Sequence, residues 1–131
     1  MEEHPNAKLV RRGYEAVATG EVDTLNELFA DDVVWHEGGR NPVTGDYAGK
    51  DQVFGLFLKL AELTDGTVKI EVHDVLANDE HVAALVTVSA SRQGHTWSGT
   101  GVDVFHVRDG KAVEVWDHVT DRHGWDELLN S

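Results

Sequence analysis

Apolar residues recur at helical spacing in three segments of the first half of the chain. Positions i, i+4 and i+7 are apolar in the first segment until Gly20 ends the pattern. The second segment is short, and the third carries a wide apolar stripe that stops near Asp65-Gly66. We therefore predict three helices, with apolar faces at Val10, Tyr14 and Val17; at Leu25, Leu28 and Phe29; and at Val53, Phe57, Leu60 and Ala61.

The rest of the chain has the alternation that is typical of strands. A β-branched run, Val33-Val34-Trp35, follows the second helix, and a segment rich in turn formers, from Glu37 to Gly49, predicts a loop after it. From Val68 to about Asp121, apolar and polar positions alternate, and three turn signals divide the segment: Asn78-Asp79, Gln93-Gly94 and Asp109-Gly110. This pattern predicts an antiparallel meander.

Helices first and a long meander afterwards indicate an α+β protein in which the helices cover one face of a curved sheet. The chain has 131 residues, 40% of them hydrophobic, which suits one domain spanning 1–131.

Charge narrows the set of partners. The chain has 24 acidic and 11 basic residues, a formal net charge of −13, so we expect neither nucleic acid nor a membrane as partner. It has no cysteine, which excludes disulfides and thiolate metal sites, and its first residues contain no basic or apolar leader pattern. We expect a cytoplasmic protein.

Three carboxyls lie where strands are otherwise apolar. Asp103 is inside Val102–Phe105, Asp117 shares a strand face with Val115 and Val119, and Glu37 ends the first strand. A carboxyl in apolar surroundings holds its proton more tightly, so it can act as an acid or a base near neutral pH. The alternative is that all three are structural. Glu37 would then be a solvated strand end, Asp103 would bond to a neighbouring strand or subunit, and Asp117 would cap or form an ion pair at an edge.

Other chemistries have weaker signals. The eight histidines include no His-x-His or His-Glu-x-x-His spacing, so no metal site is predicted. Gly-x-Ser-x-Gly is absent as well, which leaves a serine nucleophile without support. His36 and His118 are secondary proton-transfer candidates, and Trp35, Phe57 and Trp116 are candidates for a cavity wall, although aromatic residues fill ordinary cores too.

Several motifs together resemble one family. Leu28 to Trp35, Gly45-x-x-x-Gly49, Asp109-Gly110-Lys111 and the ending Val115-Trp116-Asp117-His118 are similar in content and order to SnoaL-like members of the NTF2-like superfamily. The resemblance implies a cone: a curved, mainly antiparallel sheet wrapped around about three N-terminal helices. It also implies an apolar cavity at the open end and a homodimer formed through the sheet.

Ketosteroid isomerases, which share this fold, suggest roles for two of the carboxyls. In an alignment by Phe29-Ala30-Asp31-Asp32, Glu37 stands where their general base stands, and Asp103 stands where their oxyanion-binding acid stands. Tyr14 is one position beyond their oxyanion tyrosine when counted back from Gly20, which rotates it by about 100° on a helix. We therefore expect a substrate other than a steroid.

The hypothesis is a cofactor-free isomerase or cyclase that acts on a small apolar carbonyl compound. Glu37 would abstract a proton and Asp103 would donate to the enolate oxygen, with Asp117, His36 or His118 assisting. Tyr14, Trp35, His36, Phe57 and Trp116 would contact the substrate. The competing hypothesis is a module that binds a hydrophobic ligand or dimerises without catalysis. The enzyme hypothesis expects one cavity of roughly 300 Å³ or more that Glu37, Asp103 and Asp117 face.

Overall fold

Residues 3–131, which the computed structural model describes, form four helices and six strands. In chain order these are α1 (Pro5–Thr19), α2 (Val22–Leu28), β1 (Phe29–Glu37), β2 (Gly45–Ala48), α3 (Lys50–Leu63), β3 (Lys69–Ala77), β4 (His81–Arg92), β5 (His95–Arg108), β6 (Lys111–Val119) and α4 (Arg122–Asn130). The three predicted helices and the predicted meander are confirmed. The short strand β2 and the helix α4 were not predicted.

Local signals explain where α1 begins and ends. The imidazole Nδ1 of His4 accepts a hydrogen bond from the backbone N–H of Asn6 at 3.0 Å, and Pro5 follows as the first helical residue. Gly20 ends the helix in the left-handed conformation, with φ of 72°. The N-cap is therefore His4.

One curved sheet contains all six strands, in the order β2-β1-β6-β5-β4-β3. Strands β3 to β6 form the predicted antiparallel meander, but β1 lies parallel to β6, its distant partner in sequence. β2 extends the sheet by pairing with β1 at the opposite edge. The first strand thus joins the last strand of the meander, which brings the end of β1 beside the middle of β6.

The helices cover the inner face of the sheet unevenly. α1 packs on β3 and β4, and α3 packs on β1 and β2, while the shorter α2 and α4 pack near the ends of β6 and β5. The core beneath the helices is mostly aliphatic and includes Val33, Val53, Val82, Val115 and Leu129. Within residues 3–131, no helix has both the length and the apolar character needed to cross a bilayer.

Candidate active site

The three strand carboxyls form one continuous row across the sheet. Glu37 on β1 is the register partner of Asp117 on β6, and Asp117 is the register partner of Asp103 on β5. Directly paired residues on neighbouring strands project from the same face. The face is the inner one, since Glu37 and Asp103 are only 6% and 5% exposed. We call Glu37, Asp117 and Asp103 the carboxyl row.

Trp35 anchors the Glu37 end of the row. Its indole Nε1 donates a hydrogen bond to Glu37 Oε1 at 2.9 Å. Burial raises the pKa of Glu37 well above its ordinary value, and the neighbouring Asp117 raises it further, while the Trp35 bond and the Arg122 guanidinium act in the opposite direction. Burial and the adjacent acid prevail, so Glu37 retains its proton at pH values where an exposed glutamate has lost it.

Tyr14 closes the other end of the row. Its hydroxyl donates to Asp103 Oδ2 from across the inner face, and its ring packs edge-on against Phe105 with 6.1 Å between ring centroids. Burial raises the pKa of Asp103 well above its ordinary value, and Asp117 raises it further. Burial, followed by the charge of Asp103, also raises the pKa of Tyr14, which therefore remains a neutral donor.

The second oxygen of Asp103 fixes the position of a proton. Among residues 3–131, Asp103 Oδ1 meets no N–H or hydroxyl donor, yet it is buried and lies beside the Asp117 carboxyl. A buried carboxyl oxygen without a partner is costly, and two adjacent carboxylates repel each other. One proton shared between Asp103 and Asp117 removes both costs.

An apolar cavity of about 60 Å³ lies next to the row and is lined mainly by residues of α1, α2 and β1. Tyr14 and Trp35 line it and also bond to the row, and Phe57 lines it from α3. This volume is well below the roughly 300 Å³ expected from the sequence beside the carboxyls, within the residues that the structure describes. The carboxyl groups lie behind Tyr14 and Trp35 rather than on the cavity wall.

Aromatic rings account for the small volume. Phe29, Trp35, Phe54 and Phe57 contact one another edge-on or tilted, with ring centroids 5.2 to 6.4 Å apart. Trp35 and Phe57 form the closest pair, at 5.2 Å. Phe29, Trp35 and Phe57 line the cavity, and Phe54 and Phe57 are only partly buried. We call the four residues the aromatic plug.

Three predicted site residues lie on the opposite, outer face of the sheet. His36 and Trp116 are register partners whose rings stack at 5.7 Å, and His118 is exposed beside Val102. Strand alternation is the reason, because each of them is the immediate neighbour of an inward-facing residue. The structure therefore does not bring His36, Trp116 and His118 to the carboxyl row, contrary to the expectation from the sequence.

His36 has a structural environment instead. Its Nδ1 lies 2.7 Å from Asp46 on β2, and its Nε2 lies 2.6 Å from Glu114 on β6. The two hydrogen bonds to these carboxylates raise the pKa of His36. The imidazolium thus connects the sheet edge to β6 across β1.

Tyr14 and Arg122 show what sequence counting missed. Counting back from Gly20 placed Tyr14 about 100° around the helix from the isomerase tyrosine, yet its hydroxyl reaches Asp103. Arg122 begins α4 and donates from Nη1 to the Gly38 carbonyl at 3.2 Å, near Glu37. The sequence signal that could have placed Arg122 at the start of a helix is Asp121, a favourable N-cap residue. Its carboxylate accepts a hydrogen bond from the Gly124 N–H.

The curved sheet, its inner helices and the buried carboxyl row define a protein of NTF2-like architecture. An NTF2-like protein from Burkholderia xenovorans has the same fold, with a TM-score of 0.84 and 21% identity, covering 99% of each chain. The chain belongs to the SnoaL-like domain family, whose profile matches residues 10–115. The resemblance inferred from the motifs is confirmed.

Similar proteins support the family without specifying an activity. An uncharacterized protein of Mycobacterium tuberculosis is 35% identical over 122 residues, covering 92% of this chain and 93% of the relative. The solved structure of Bal32a, from a soil-derived mobile gene cassette, is 33% identical with a TM-score of 0.92, covering 96% and 97%. IdmH of Streptomyces antibioticus, a candidate polyketide cyclase, shares the fold at 21% identity and a TM-score of 0.76, covering 96% and 99%.

Proposed function

We propose that the protein is a cofactor-free acid–base enzyme that transfers a proton on a small apolar carbonyl compound. The carboxyl row carries the proposal, because buried ionisable groups with raised pKa values lie directly behind an apolar cavity. Such pairs of carboxyls in unlike surroundings can divide acid and base roles. The candidate cyclase among the structural neighbours is consistent with this class of chemistry.

The residues suggest how the transfer would proceed. Glu37, in its ionised form, would remove a proton from the carbon beside the carbonyl, so that the C–H bond breaks and an O–H bond forms on Glu37. The electron pair moves to the carbonyl oxygen. Tyr14 would turn its hydroxyl from Asp103 to that oxygen, and protonated Asp103 would turn its own O–H from Asp117 to the same oxygen, so that both donate to it. Return of the proton to another carbon completes an isomerisation.

Substrate entry would require the aromatic plug to move. Phe57→Ala removes the plug ring that faces Trp35 most closely. We expect cyclohexanone to bind this variant about tenfold more tightly than the wild type, because the ligand then displaces no aromatic ring. Chemical-shift titration by NMR measures the two dissociation constants.

Leu58→Ala provides the matched control for the Phe57 variant. Leu58 is the next residue on α3 but is 73% exposed, so its truncation leaves the cavity unchanged. Equal cyclohexanone affinity for wild type, Phe57→Ala and Leu58→Ala would contradict entry through the plug.

The non-catalytic alternative has one observation in its favour, which is that none of the three carboxyls lines the cavity. A module of this kind would bind an apolar ligand without chemistry. Incubation with cyclohexanone in D₂O separates the two functions, since an enzyme incorporates deuterium beside the carbonyl faster than buffer alone. Binding without faster exchange, across a set of small apolar ketones, would favour the module.

We also propose a homodimer formed through the outer face of the sheet. One row of register partners there is Leu76, Ala83, Val104, Trp116 and His36, and Leu76 is 58% exposed. The acids that border this row at one end, Asp46 and Glu114, are both paired with His36. The five residues of the row include no acid, which suits contact between two copies of a chain whose net charge is −13.

Leu76→Asp is expected to dissociate this dimer. Sedimentation velocity should give twice the chain mass of 14.4 kDa for the wild type and a single chain mass for the variant, since an unpaired carboxylate is costly inside an interface. Leu58→Asp on α3 is the control and should remain dimeric. A wild type that sediments as a monomer at high concentration would refute the dimer.

A further inference from the structure

Glu37 must lose its own proton before it can act as a base, and its surroundings suggest where that proton goes. Its burial favours the protonated form, and a protonated carboxyl cannot abstract a proton. Loss of that proton to solvent would leave a charge in a site that is 6% exposed. An acceptor next to Glu37 is needed, and Asp117 is within hydrogen-bonding reach of it.

Asp117 differs from its two neighbours in three respects. It is the central member of the row, it is more exposed than either end, and it reaches both Glu37 and Asp103. Glu37 and Asp103 each receive a bond from a neutral donor on one oxygen, from Trp35 and Tyr14 respectively. Their remaining hydrogen-bonding capacity is directed toward Asp117.

These contacts determine how the row distributes its charge. Desolvation penalises a charge least at the most exposed carboxyl, and a central carboxylate can accept an O–H bond from each side. The resting arrangement is therefore ionised Asp117 between protonated Glu37 and protonated Asp103. Asp103 Oδ1, the buried oxygen without another donor in residues 3–131, then holds the proton that it gives to Asp117.

We propose that Asp117 is a positioning residue that takes up the proton of Glu37, so that Glu37 becomes a carboxylate without releasing a proton to solvent. In this step the O–H bond of Glu37 breaks, an O–H bond forms on Asp117, and the single negative charge moves from the centre of the row to its end. Glu37 can then accept a proton from the substrate carbon. This last step rests on the proposed function. The sharing of a proton between Glu37 and Asp117 does not depend on that function.

Carboxyl ¹³C NMR titration of Asp117→Asn tests the shared proton without any substrate. The amide lacks the negative charge and cannot accept the proton, so the Glu37 carboxyl should titrate at lower pH than in the wild type. Asp32→Asn is the control, because Asp32 is exposed on the same strand and its loss removes the same charge. An unchanged Glu37 titration in Asp117→Asn would overturn the inference.

Two further measurements complete the test. If Asp117→Asn fails to fold, the wild type suffices: coupled groups give two-step titration curves at Glu37 and Asp103 over a common pH interval, and two independent single-step curves would refute the coupling. Where the variant folds and the wild type exchanges deuterium into cyclohexanone, the pH at which exchange is half-maximal should fall together with the Glu37 titration, with unchanged ketone affinity. A pH profile of exchange identical to that of the wild type would refute the positioning role. Absence of exchange in the wild type contradicts the proposed function instead, and leaves the titration result to stand by itself.

Discussion

Glu37→Gln is expected to slow deuterium exchange into cyclohexanone by about 10²- to 10⁴-fold, the usual contribution of a positioned general base. Glutamine has nearly the same shape as glutamic acid, and its side-chain oxygen can still accept the Trp35 bond that is 2.9 Å long in the wild type. Its amide group can donate to Asp117 in place of the carboxyl proton. The variant therefore keeps the contacts of the protonated form but cannot ionise.

Exchange rates measured by proton NMR in D₂O, with the buffer-catalysed rate subtracted, provide the readout. Glu80→Gln is the matched control, since Glu80 is exposed in the turn between β3 and β4. Comparable exchange by Glu37→Gln and wild type would exclude Glu37 as the base. An unfolding midpoint within a few degrees of the wild-type value would show that the loss of exchange is not a loss of fold.

Asp103→Asn is expected to raise the free energy of unfolding at pH 8 by about 1 to 3 kcal/mol. The asparagine oxygen can accept the Tyr14 hydroxyl, and its amide N–H can donate to Asp117, so the variant reproduces the protonated aspartic acid. The wild type must instead either hold a proton against the alkaline solution or bury a charge.

The sign of the pH dependence follows from the same group. The pKa of Asp103 is raised on folding, so between its ordinary value, about 3.9, and the raised value the folded chain binds a proton that the unfolded chain has released. Its stabilising contribution is complete below the ordinary pKa and is lost as the pH rises through the raised one. The advantage of Asp103→Asn over wild type should thus be larger at pH 8 than at pH 5.

Urea unfolding followed by tryptophan fluorescence at both pH values measures this difference. Asp32→Asn removes an exposed carboxylate and should follow the wild type within about 0.5 kcal/mol at each pH. A variant whose stability changes with pH as much as that of the wild type would show that Asp103 is ionised in the fold.

Periodicity was sufficient for the parts of the fold whose apolar faces are long. The apolar stripes of α1 and α3 and the alternation of β3 to β6 each extend over many residues, so local patterns identified them. β2 has four residues between turn formers, and α4 has nine residues with a mixed surface. Both are stabilised by contacts with the rest of the fold rather than by their own pattern, as β2 is by β1 and α4 by β5.

The candidate site was predictable only in part for a similar reason. A carboxyl inside an apolar strand is visible in the sequence, which is why Glu37, Asp103 and Asp117 were selected. Alternation also separates Asp117 from its neighbours Trp116 and His118, but it does not say which set faces inward. That choice depends on where the helices pack, so residues of both faces, with His36, Trp116 and His118 among them, remained candidates.

The sequence by itself determined the α+β class, the main elements and the presence of acidic residues where strands should be apolar. Only the tertiary structure decided that these acids meet, through the parallel pairing of β1 with β6 that aligns Glu37 with Asp117. It also decided that Tyr14 reaches Asp103 and that aromatic rings leave only about 60 Å³ beside them. Local patterns record which residues share a face, whereas contacts between residues about 80 positions apart depend on how whole elements pack, and that information is not contained in any short segment.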